Sequence, residues 1–118
     1  MVTGPEPRSR EVERPWLRFY EPGVPEEIAV PELTVDVLLR QAAEAYPSAD
    51  ALIFFGARTT FRRLDEDADR LARALRDLGV EPGDRVSLHL PTSPAFVLAF
   101  LGAVRAGAFV VPVSPLLV

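Results

Sequence analysis

Cysteine is absent from the 118 residues, which excludes a disulfide framework, a thiolate metal site and a cysteine nucleophile. Lysine is absent as well, since all thirteen basic residues are arginine. Arginine keeps its proton in proteins and is a poor nucleophile, so Schiff-base chemistry and a phosphate-loop lysine are both ruled out. One histidine, His89, is too few for a histidine-rich metal site. A positive charge balance is missing too. The formal net charge of -4 argues against nucleic acid as the main partner, because phosphate binding needs a basic surface. The opening MVTGPEPRSREVERPW mixes acids, arginines and prolines where a secretory leader would carry an apolar run. The expected compartment is therefore the cytoplasm.

What is present points to at most one domain with a single hydrophobic core. Six of the twelve prolines fall before residue 32, so residues 1–31 read as an extended, proline-rich arm without regular structure. Trp16, Leu17, Phe19 and Tyr20 within it suggest an arm that packs onto something. From residue 32 onward the pattern becomes regular. Thr34 is a candidate N-cap for a helix carrying Val35, Leu38, Leu39, Ala42 and Tyr46, ended by Pro47. ALIFFGARTTF reads as a strand, a turn at Gly56 and a return strand. Leu64, Ala68, Leu71, Ala72, Leu75 and Leu78 recur at three- and four-residue steps, which predicts an amphipathic helix stopped by Gly79.

A Pro-Gly turn then leads into a strand from about Arg85 to Leu90. Ser93 caps a helix with Pro94 in its first position, the arrangement that helix starts favour. That helix, PAFVLAFLGAVRA, is apolar around nearly its whole circumference and ends at Gly107, so it should be buried on several sides. AFVVPV is a short, continuous apolar strand of the kind found in parallel sheets. The order helix, hairpin, helix, strand, helix, strand predicts a layered α/β fold. Between Ala106 and Val118 there is no charge at all, and the last strand leaves an apolar edge to be covered. The expectation is a fold that is incomplete on its own.

Several features invite sharper readings, and each has a plainer one that fits better. His89 follows the alternation Val86, Leu88, Leu90 on a strand and reads as a structural or surface histidine. GAVRAG, Gly102 to Gly107, lacks the Lys-Ser/Thr that a phosphate loop requires, so helix packing and a C-cap account for both glycines. The acidic LDEDAD stretch lies in the first turns of a helix, where a solvated, dipole-matched face is sufficient explanation. RSREVER interleaves its arginines with glutamates and reads as a solvated tail. Pro91 to Val118 is too broken by prolines, and carries Arg105, for a membrane span of about 20 residues.

From Pro15 onward the ordered series TF..L, LGV.PGDRV and LP.SP.FV.A.LGA..AGA..VPV.P resembles the amino-terminal part of the adenylate-forming (AMP-dependent) acyl-CoA synthetases. The opening RPWL..Y.PGVP tilts the likeness toward bacterial long-chain fatty-acid–CoA ligases. The resemblance implies that residues 32–118 are a partial α/β subdomain of an enzyme that converts acid, ATP and coenzyme A to acyl-CoA, AMP and pyrophosphate. It implies ATP, magnesium and coenzyme A as cofactors of the full-length enzyme, and none for this chain alone. The phosphate loop and the lysine of that family have no counterpart here, so no catalytic, cofactor-binding or metal-ligating residue is assigned.

The implied partners are the remainder of the ligase domain or a companion chain, with a homodimer possible in the parent. No nucleic acid and no transmembrane segment are expected, and the parent enzyme is placed in the cytoplasm or peripheral to a membrane. Two alternatives stand beside this: a separate interaction module that pairs with a ligase chain, and a truncated reading frame without function. Some positions depart from the family pattern. Arg63 stands where an acidic residue commonly completes a capping box with Thr60, and Thr92, Ala95 and Ser114 replace the usual Asn, Glu and Asn.

Overall fold

The computed structural model describes residues 13–116 and divides the chain into two compact units, Met1–Pro31 and Glu32–Val118. Of RSREVER, all but Glu13 and Arg14 lies outside the described residues, as do Leu117 and Val118. In the first unit Pro15–Phe19 forms a 3-10 helix, which corrects the expectation of an arm without regular structure. Pro15 sits at its start, where a missing N–H leaves no hydrogen bond unmade. Arg14 Nη1 donates to Glu27 Oε1 at 2.9 Å, and the Arg18 guanidinium lies 4.7 Å from the Phe19 ring centroid.

The second unit is an α/β structure of three helices and two short sheets, in the order that the sequence predicts. Helix α1 is Val35–Ala45, strands β1 and β2 are Asp50–Phe54 and Ala57–Thr60, and helix α2 is Phe61–Asp77. Strand β3 is Arg85–Leu88, helix α3 is Pro94–Ala106 and strand β4 is Phe109–Pro112. Each helix starts on a hydroxyl cap. The Oγ of Thr34, Thr60 and Ser93 accepts from the backbone N–H of Val37, Arg63 and Phe96, at 3.3 Å in each case. Thr60 thus keeps its half of the capping box although Arg63 cannot return the bond. Arg63 Nε donates instead to Asp67 one turn on, at 2.8 Å, and that i,i+4 pair recovers about 0.3–0.5 kcal/mol.

β1 and β2 pair antiparallel, with Phe54 opposite Ala57, and the register is irregular between Asp50 and Leu52. β3 and β4 pair in parallel, Arg85 opposite Phe109 and Leu88 opposite Pro112, and α3 is the crossover that a parallel pair requires. The left-handed Gly107 (φ +91°) ends α3, and its carbonyl accepts from Gly83 N–H at 2.9 Å. That bond holds the Pro82-Gly83 turn against the helix end.

The core lies where α2 and α3 pack along their lengths. Its closest points are small residues: Ala68, Ala72 and Ala103 have no exposed surface. Gly102 faces Leu71 so closely that a Cβ there would lie 2.7 Å from Leu71 Cδ2. The glycine is therefore a packing residue, as its place in the helix suggested. Leu39 from α1, with Leu64 and Leu101, completes the buried cluster, and Ala51, Leu52, Phe61, Val97, Leu98 and Phe100 pack around it. Leu78 departs from the predicted helix face. It is the C-cap of α2 and is exposed, since the helix has ended before its side chain can turn inward.

Candidate functional site

Polar chemistry in the second unit converges on Arg105, near the end of α3. Ala-Val-Arg-Ala offers no other charge there, and the Arg105 side chain is 3% exposed. An unpaired guanidinium at that depth would cost several kcal/mol. It is fully paired. Nε donates to Asp36 on α1, Nη2 to Asp65 Oδ1 on α2 at 2.5 Å, and Nη1 to the Asp65 carbonyl at 2.8 Å and to Asp69 Oδ1 at 3.4 Å. The planar fork suits this task, because its donors diverge toward two helices at once.

A second ring of contacts holds the acceptors. Arg40 Nε donates to Asp36 at 3.1 Å, and Arg73 Nη2 to Asp69 at 2.5 Å. Arg76 Nη2 caps the Arg105 carbonyl at 2.6 Å. Burial works against charge on Arg105, but the hydrogen bonds it donates to Asp65 and Asp36 outweigh that and raise its pKa. The Asp69 carboxyl is held below the ordinary aspartate value, chiefly by its hydrogen bond with Arg73. Asp36, Asp65 and Asp69 together with Arg105, Arg40 and Arg73 form a neutral cluster. Its chemistry is cohesion between helices.

This corrects the reading of the acidic stretch as a merely solvated face. Asp65 and Asp69 serve a buried cation supplied by the chain itself. The sequence signal was Arg105 as the lone charge in an apolar helix, but its partners lie 36 to 69 residues away, on other elements. His89 is exposed just beyond β3, as a surface histidine should be. Among the described residues no group of three or more His, Cys, Asp or Glu is arranged to hold a metal ion. No helix is long and apolar enough to cross a membrane, again among the described residues.

Three of the cavities among the described residues lie beside α3; one of about 170 Å³ is lined by Asp67 with Leu64 and Leu98, and the other two open on apolar faces. One of about 180 Å³ lies between β1 and the start of α3, against Ile53, Phe54, Pro94 and Val97. The other, about 400 Å³, lies between the loop before α3 and the loop after β4, against Pro91, Phe96, Val113 and Leu116. Neither is lined by a charged side chain.

A chain of this order, with a capped apolar helix crossing between two parallel strands, matches the AMP-binding enzyme family model over residues 39–118. The chain belongs to that adenylate-forming family. It is 36% identical over 104 residues to a long-chain-fatty-acid–CoA ligase of Bacillus subtilis, a match covering 88% of this chain and 19% of the relative. It is 48% identical over 79 residues to the pyochelin synthetase PchE of Pseudomonas aeruginosa, covering 67% of this chain and 5% of the relative. Among solved structures, the NpsA N-terminal subdomain of Klebsiella oxytoca superposes with a TM-score of 0.66 at 30% identity, over 68% of this chain and 21% of that one. The chain thus spans about a fifth or less of the length of these relatives. Its α/β unit corresponds to part of an adenylate-forming enzyme's N-terminal region.

Proposed function

We propose that residues 32–118 are an architectural segment of an ATP-dependent fatty-acid–CoA ligase, with residues 1–31 as an arm leading into it. The observation that carries the fatty-acid reading is the reach of the similarity. The match to the Bacillus subtilis ligase runs over 104 residues and so includes part of the chain before Leu39, whereas the matches to the pyochelin synthetase and to a linear gramicidin synthase run over 79 and 89 residues. In this reading the whole enzyme joins a fatty acid to coenzyme A at the expense of ATP. The contribution of this segment is the α2–α3 platform, locked by Arg105, on which neighbouring parts of the domain rest. The reacting groups lie in those other parts. The absence of lysine supports this division of labour.

Two assays test the reading. The purified 118-residue chain should give no ATP–pyrophosphate exchange with long-chain fatty acids; exchange above background overturns the architectural role. A whole enzyme that contains this segment should make acyl-CoA from long-chain acids. Activation of amino or aryl acids in their place refutes the fatty-acid assignment while leaving the family intact.

A further inference from the structure

We draw no further inference here: the strongest candidate, the apolar surface patch that Ile53, Phe54 and Phe55 form at the tip of the β1–β2 hairpin beside the cavity against Pro94 and Val97, lies exposed in a chain that spans about a fifth or less of its relatives' length, and nothing in the structure shows what covers it.

Discussion

Replacing Arg105 with methionine keeps most of the side-chain volume and removes the cation that joins three helices. Removing one partner of a buried ion pair costs about 3–5 kcal/mol, because the remaining charge is left uncompensated. Here the abandoned carboxylates retain some access to water: the Asp36, Asp65 and Asp69 side chains are 18%, 28% and 39% exposed. Water relieves part of the penalty, so the expected loss is at the lower end, about 3 kcal/mol. Against the 5–15 kcal/mol that such a domain possesses, this removes a large fraction of stability. The assay is urea unfolding at pH 7 followed by far-ultraviolet circular dichroism. The midpoint should fall with the slope unchanged. Arg105→Lys should recover little, since a single ammonium cannot serve Asp36 and Asp65 in diverging directions. Adding Asp36→Asn and Asp65→Asn to the methionine variant should recover a substantial part, because the stranded charges disappear. A loss below about 0.5 kcal/mol for Arg105→Met would place it with ordinary surface substitutions and refute the argument.

Gly102→Ala should destabilise by about 1–3 kcal/mol, because the new methyl meets Leu71 at its Cβ, Cγ and Cδ2 and cannot be avoided by moving the tip alone; chemical denaturation of the variant checks it. Acid should weaken the same helix assembly. The folded carboxyl of Asp69 is held below its ordinary value near 3.8, first by the Arg73 hydrogen bond and then by the charges of Arg73, Arg105 and Arg40, against the opposing effect of burial. Its contribution is therefore present above the unfolded value and disappears as pH falls through the lower folded one. Urea midpoints from pH 7 to below 3.8 should fall at the acid end, and Asp69→Asn should flatten that limb; an unchanged limb in the variant refutes the assignment.

Local order was legible in the sequence wherever a residue acts on its own backbone. Thr34 and Ser93 cap the helices they were expected to cap, Gly56 and Gly107 take the turns they were expected to take, and Pro47 follows the end of α1. The periodicity of α2 located Leu64, Ala68 and Ala72 in the core. What escaped was set by approach between elements. The Arg105 partners depend on how α1 and α2 cross α3, and sequence spacing says nothing of that. Leu78 continues the helical period but misses the core, because the chain leaves the helix at that residue. The positive φ of Phe55 (+48°) in the β1–β2 turn was equally hidden, since the pair Phe-Gly announces a turn through its glycine and not the φ of its phenylalanine.

The placement of a charged residue at the end of the most apolar helix follows from the shape of the packing. Along its middle, α3 meets α2 through glycine and alanine, so the two helices approach closely and leave no room for anything larger. α1 must enter beside them, and Leu39 is its one buried residue. An apolar contact of that size does not specify one angle of approach, because hydrophobic attraction is non-directional. A guanidinium does, since its donors point in fixed directions and each must find an oxygen. Arg105 thereby specifies a defined arrangement: Asp36 fixes α1, Asp65 fixes α2, and Arg40 and Arg73 hold the acceptors in place. The cluster also has no net charge, and the two cavities at the start of α3 and after β4 are lined without charged side chains, as apolar neighbours would require.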